Sequence, residues 1–276
     1  MHIIEHKDHV EIVGTDMSLE HTFECGQCFR FFRQPDGAYA GVAFDRPVRL
    51  WYTPDGFAVS GSREDFDNIW KKYLDLELDY AALSADFPRD DFTQSAIAYG
   101  RGLRILSQQP WEALCSFIIS QCNNIVRIQG IVRTLCRLFG EETELMGEIF
   151  YTFPTAERIA SLSLDELAPL RAGYRDAYIL SAARRVASGE FCFSALERLD
   201  TPAARREVLA LEGVGSKVAD CFLLFGMHRL DAFPIDTWMK KAAAYYPGGL
   251  SAESFGKYAG IAQQYIFYYA KSQKIG

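Results

Sequence analysis

Between His9 and about Ser60, short β-branched and aromatic runs alternate with turn-forming clusters. The runs cover residues 9–13, 29–33, 39–44 and 48–52, and the breaks are Gln34-Pro35-Asp36-Gly37 and Pro54-Asp55-Gly56. This pattern predicts the strands of an antiparallel sheet. After Ser62 the period changes, because Phe66, Ile69, Trp70, Tyr73 and Leu74 recur at helical spacing. From Asp91 to Lys274 nearly everything reads as helix interrupted by short Gly or Pro breaks. Helices are expected over 111–123, 125–139, 174–187, 202–211, 216–227, 236–246 and 251–270. The expected fold class is α+β, with an N-terminal antiparallel β-sheet domain and flanking helix (1–92) followed by a mostly α-helical domain (93–276).

Composition narrows the function classes. The chain has 276 residues, 49% hydrophobic and 24% charged, enough for a packed interior in one large or two smaller domains. No apolar run approaches the roughly 18 to 20 residues that span a bilayer. The start, MHIIEHKDHV, mixes both charge signs where a signal peptide needs a basic end and an apolar centre. The expectation is a cytoplasmic protein with no membrane partner. A net charge of −7 argues against gripping nucleic acid by bulk charge, and leaves open a local basic or backbone-amide site. The seven cysteines fit reduced thiols. Cys25 and Cys28 form a C-x-x-C without a second pair, and no cysteine follows Cys221, so neither zinc nor an iron–sulfur loop is expected.

The densest chemistry lies in Leu211-Glu212-Gly213-Val214-Gly215-Ser216-Lys217-Val218-Ala219-Asp220. Gly213 and Gly215 permit a left-handed turn and close approach of another backbone, and a helix starting near Ser216 turns free N–H groups outward as an anion site. That is an uncharged phosphate grip. The same spacing also suits a plain helix–helix turn with Val214 plugged into the core. Lys217 falls in the first turn of the second helix, where a cation opposes the helix dipole, so helix stability does not explain it. Its apolar neighbours Val214, Val218 and Cys221 suit an amine that acts as a neutral nucleophile and forms a Schiff base. Asp236, in Phe233-Pro234-Ile235-Asp236-Thr237-Trp238, reads either as an N-cap or as a carboxylate stabilising a developing positive sugar near that lysine.

Taken together, L-x-G-V-G-S-K-V-A-D-C followed by F-P-I-D resembles the helix-hairpin-helix (HhH-GPD) DNA glycosylases, and more narrowly their 8-oxoguanine DNA glycosylase/AP lyase branch. Further stretches carry the narrower match: Cys25-Gly26-Gln27-Cys28-Phe29-Arg30, residues 120–127 (SQCNNIVR), Gly173-Tyr174-Arg175, and Tyr258-Ala259-Gly260-Ile261-Ala262-Gln263 with Phe267. The resemblance places the hairpin at about 203–226. It implies a bifunctional, monomeric repair enzyme whose partner is double-stranded DNA containing 8-oxoguanine. Such an enzyme flips the damaged base, breaks its glycosidic bond through Lys217 with Asp236 as electrostatic partner, and nicks the strand by β-elimination, without metal or organic cofactor. In this scheme the Gly26 carbonyl meets N7 of the lesion, Phe267 and Cys221 stack on its two faces, and Gln263 pairs with its Watson–Crick edge. Asn123, Arg127, Tyr174 and Arg175 serve the opposite strand and the gap left by flipping. Two positions depart from the branch pattern: Cys122 replaces an asparagine, and Trp238 replaces a phosphate-contacting histidine. The competing readings are a monofunctional alkyladenine-type glycosylase, which activates water with the aspartate alone, and a non-catalytic DNA-binding hairpin module.

Overall fold

The computed structural model describes residues 1–275. The N-terminal part is a six-stranded antiparallel sheet in the order β1-β2-β6-β5-β4-β3, built from β1 (His2–Glu5), β2 (His9–Val13), β3 (Phe32–Arg33), β4 (Tyr39–Ala43), β5 (Arg46–Thr53) and β6 (Gly56–Ser60). Alternation puts Val10, Ile12, Val48, Leu50, Phe57 and Val59 in the interior, where Val59 lies opposite both Val10 and Leu50. α1 (Leu19–Glu24) follows the second strand and is capped by Ser18, whose side chain accepts from His21 N–H. A helical segment from Arg63 to Tyr73 buries Phe66, Trp70 and Tyr73 against the sheet.

Three expectations are corrected. The strand expected at 29–33 is confined to Phe32–Arg33, because Phe29 is buried in the helical core rather than paired in the sheet. The helical stretch contains a hairpin, β7 (Glu142–Leu145) and β8 (Glu148–Tyr151), turned by Met146 and Gly147, both with positive φ. The helix expected over 251–270 is instead a 3₁₀ segment, Ala252–Tyr258, kinked internally at Gly256 (φ 59°, ψ −143°), followed by a separate α-helix from Ala259.

The second part is helical. Its main elements are α2 (Asp91–Tyr99), α3 (Pro110–Ile119), α4 (Ile125–Phe139), α5 (Arg175–Ala187), α6 (Thr201–Leu209), α7 (Ser216–Phe225), α8 (Thr237–Ala242) and α9 (Ala259–Ser272). α3 and α7 are apolar nearly all round, and they form the centre of the helical core. Among the described residues no helix is long and apolar enough to cross a membrane.

The segment after α1 locks sheet to helices. Gln27 is fully buried; its Nε2 donates to Thr22 O (2.8 Å) and Arg104 O (2.7 Å), and its Oε1 accepts from Leu106 N–H (2.9 Å). Its carbonyl accepts from Gln108 Nε2 at 2.8 Å, and the Gln108 N–H donates to Phe225 O at the end of α7. Nearby, the Arg30 guanidinium pairs with Glu112 at 2.7 Å, both side chains buried. A buried polar group without partners costs several kcal/mol, so these bonds fix the approach of the two parts.

Candidate active site

α6 and α7 form the hairpin. Asp200 caps α6 by accepting from Ala203 N–H, and Arg205 on α6 clamps Asp220 on α7 through Nε (2.6 Å) and Nη2 (3.2 Å). Leu211 and Val214 are both buried, so the loop does plug the core. Its two glycines differ. Gly213 has φ +74°, and a Cβ placed there would meet the Tyr178 ring at 2.2 Å, so both backbone and space demand glycine. Gly215 has an ordinary φ of −92° and open space about it, and it stands as N-cap of α7. The next free N–H groups of the helix lie beside that open space.

Lys217 enters from the first turn of α7 and is half-buried. Its Nζ donates to Ser120 Oγ at 2.9 Å and lies 5.4 Å above the Phe117 ring. Ser120 Oγ donates in turn to Phe117 O at 2.8 Å, which leaves a lone pair facing the amine. Among the described residues no carboxylate stands within ion-pair distance of Lys217. Cys221, one turn along α7, is buried, and burial pushes its thiol up to about 11; Lys217 pulls it down, whereas Asp236 and Asp220 push it up. The group is therefore a neutral thiol at pH 7, suited to packing on a ring rather than to nucleophilic attack. Asp236, fixed after Pro234, caps α8 with Oδ1 accepting from Met239 N–H at 2.9 Å. Its charge reaches Cys221 and opposes that of Lys217 there, so thiol, amine and carboxylate are electrostatic neighbours.

The opposite wall comes from α9 and from the turn after α1. Gln263 is buried, and its Oε1 has no hydrogen-bond partner among the described residues. An orphaned buried acceptor needs an explanation, and a ligand that donates to it supplies one. Gly26 has φ +97°, and a Cβ there would lie 2.9 Å from Ile125 Cδ1 and 3.8 Å from Phe267 Cε1. The backbone of the Gly26 turn thus lies beside the Phe267 ring.

The remaining residues gather at the start of α4 and α5. Tyr174 is 51% exposed, meets Tyr178 edge-on at 5.6 Å, and stacks on the Arg175 guanidinium at 4.4 Å. Arg175 is buried, with Nε and Nη2 donating to Gln121 O and Nη1 to Ala172 O, which leaves two of its five N–H groups uncommitted. Arg127 is exposed and donates to Arg171 O (3.2 Å), while Asn123 donates to Ile119 O (3.2 Å). Cys122 is exposed in left-handed conformation, φ 48°. Sequence reasoning assigned no role to Ser120, Tyr178 or Gln27. Ser120 and Gln27 lay in stretches that carry the resemblance, and Tyr178 gave no signal.

A helix hairpin with a glycine-bracketed helix start, a lysine on that helix and a capping aspartate beside it define a helix-hairpin-helix base-excision protein. Comparison makes the class specific. Residues 10–114 match the family described as 8-oxoguanine DNA glycosylase, N-terminal domain, and residues 115–249 match the HhH-GPD superfamily of base excision DNA repair proteins. An N-glycosylase/DNA lyase of Arabidopsis thaliana is 30% identical over 94% of this chain and 78% of its own. The 8-oxoguanine glycosylase/lyase of Clostridium acetobutylicum, solved in complex with duplex DNA containing cytosine opposite 8-oxoG, superposes with a TM-score of 0.95 at 34% identity, covering 100% of this chain and 99% of that one. The 3-methyladenine DNA glycosylase of Archaeoglobus fulgidus shares the fold alone, at 19% identity and a TM-score of 0.76. The chain belongs to the 8-oxoguanine DNA glycosylase family of the HhH-GPD superfamily.

Proposed function

We propose that this chain excises 8-oxoguanine from duplex DNA through a Schiff base on Lys217 and then nicks the strand by β-elimination. The observation that carries the reading is the half-buried Lys217 amine, held by a hydroxyl and with no carboxylate of the described residues within ion-pair distance, at the mouth of a helix hairpin suited to phosphates. Once neutral, this amine attacks C1′ of the extruded nucleotide. The C1′–N9 bond breaks with its electrons on the base, which leaves with a proton, and the Asp236 carboxylate stabilises the positive charge on the sugar. Opening of C1′–O4′ protonates O4′ and gives the imine. Loss of a C2′ proton then expels the 3′ phosphate, and water releases Lys217.

Base selection rests on the same geometry. 8-Oxoguanine carries a hydrogen on N7 where guanine has a lone pair, so its reader is an acceptor, and the half-buried backbone at Gly26 supplies one. Cys221 and Phe267 cover the two faces, and the unpartnered Gln263 amide takes the Watson–Crick edge. Tyr174 fills the gap left by flipping, while Asn123, Arg127 and Arg175 face the orphaned base. Gly213 and Gly215 carry the strand on backbone amides, so that a monomer of net acidic charge binds DNA.

Borohydride trapping on an 8-oxoguanine duplex tests the reading. The parent is expected to give a covalent adduct and a nick, and Lys217→Gln to bind the duplex without either. Base release with neither adduct nor nick would indicate water activation by the aspartate alone, and binding without base release would indicate a non-catalytic module.

A further inference from the structure

Lys271 stands one turn beyond Phe267 on α9, with Nζ 5.9 Å from the centre of the Phe267 ring. It is half-buried, and no carboxylate of the described residues stands within ion-pair distance of it. Its electrostatic neighbours are the Cys25 thiol and the Asp236 carboxylate; burial pushes its pKa down, and these two hold it up. A lysine in the last turn of a helix is ordinarily solvated and pairs with the helix dipole. Lys241 on α8 covers the Trp238 ring while donating to Ile275 O at 3.1 Å. Lys271 also covers an aromatic ring, but its ammonium makes no hydrogen bond to the described residues, and the ring is that of Phe267, beside the Gly26 turn. Withdrawing an ammonium from water without a counter-ion costs free energy that an anion bound beside it recovers.

We infer that Lys271 holds the phosphate of the nucleotide drawn into the pocket. The inference rests on the function proposed above and adds a binding residue to that site. A phosphodiester fits better than a base oxygen, because the neutral carbonyls of a purine do not offset an ammonium, whereas a phosphate anion does. The contact exists only with an extruded nucleotide, so it discriminates lesion from undamaged duplex without reading the base itself.

Binding is measured in a Lys217→Gln background, where no turnover occurs, across a range of salt concentrations. Each phosphate neutralised contributes about −0.9 to the slope of log K against log salt. On 8-oxoguanine duplex, Lys271→Met is expected to make that slope less negative by about 0.9 and to weaken affinity roughly five- to tenfold. On undamaged duplex neither quantity moves, and Lys271→Arg restores the slope. A single methylphosphonate at the lesion nucleotide reproduces the loss in the parent and adds nothing to Lys271→Met.

An unchanged slope on lesion duplex overturns the inference, as does an equal change on undamaged duplex. Weaker affinity at unchanged slope marks a contact to the neutral base and overturns it too. The melting temperature of Lys271→Met is expected to equal or exceed that of the parent; a fall with unaltered binding assigns the residue to the helix end instead. Trapping and nicking by the enzyme with Lys217 intact are run alongside. If they fail, the proposed function falls; if they succeed and the slope does not move, only the assignment of Lys271 falls.

Discussion

Lys217 Nζ lies 2.9 Å from Ser120 Oγ, across 97 positions of sequence, and Ser120 is itself oriented by donating to Phe117 O. The hydroxyl therefore aims the amine rather than competing for substrate. Ser120→Ala is expected to slow single-turnover imine formation about tenfold, the equivalent of ~1.4 kcal/mol, while leaving lesion affinity in place. Borohydride capture under single-turnover conditions measures this, and an unchanged capture rate would show that the amine needs no such support.

The two hairpin glycines separate stability from binding. Gly213→Ala forces a side chain into left-handed backbone and into the Tyr178 ring, and is expected to cost about 3 kcal/mol of stability. Gly215→Ala meets neither obstacle and is expected to leave the melting temperature unchanged while lowering DNA affinity, since its Cβ would enter the open space where the proposed function puts the strand. Thermal melts read beside binding isotherms distinguish the pair.

Asp176, next to Arg175, has its carboxyl pushed up to about 6 by burial, with Arg175 opposing. Between the ordinary value of 3.8 and about 6 the folded state holds more proton than the unfolded state, so stability falls as pH rises through that window and stays lower above it. Asp176→Asn removes the loss. After allowance for solvent screening of a half-exposed group, the gain is expected to be about 1 kcal/mol at pH 7 and nil near pH 4, measured by denaturant melts at both.

Cys122 occupies left-handed backbone that asparagine tolerates better than most residues, and its thiol is a weak hydrogen-bonding group. Cys122→Asn is expected to keep or slightly raise stability and to raise severalfold the ratio of cleavage opposite C to cleavage opposite A. A ratio that stays put would remove this position from opposite-base reading.

Legibility in the sequence followed how local each cause is. The strands at 9–13 and 39–43 were readable because alternation and turn residues are properties of a few consecutive positions. β1 was not, because His-Ile-Ile-Glu is short and polar at both ends and gains its pairing only from β2. The β7–β8 hairpin hid in glutamate-rich segments that suit helix equally well, and only the turn at Met146-Gly147 decides between them. In the site, Lys217 was conspicuous because it opposes the helix dipole within its own turn. Ser120 and Tyr178 carried no such mark, since each acquires its place only when distant helices pack. Gln263 was marked only by the family resemblance; its burial, which leaves its amide oxygen without a partner among the described residues, is set by packing.

The glutamine of the Gly26-Gln27 turn has a consequence for inheritance. Its side chain and carbonyl are answered by Thr22, Arg104, Leu106 and Gln108, three of which lie beyond the sheet. Sheet and helical bundle are thus not interchangeable cassettes. A recombination that joins the first hundred residues of one relative to the remainder of another must carry both backbone geometry at 104–106 and a donor side chain at 108 that meet this one residue. Descent with both halves together is the simplest way to keep it.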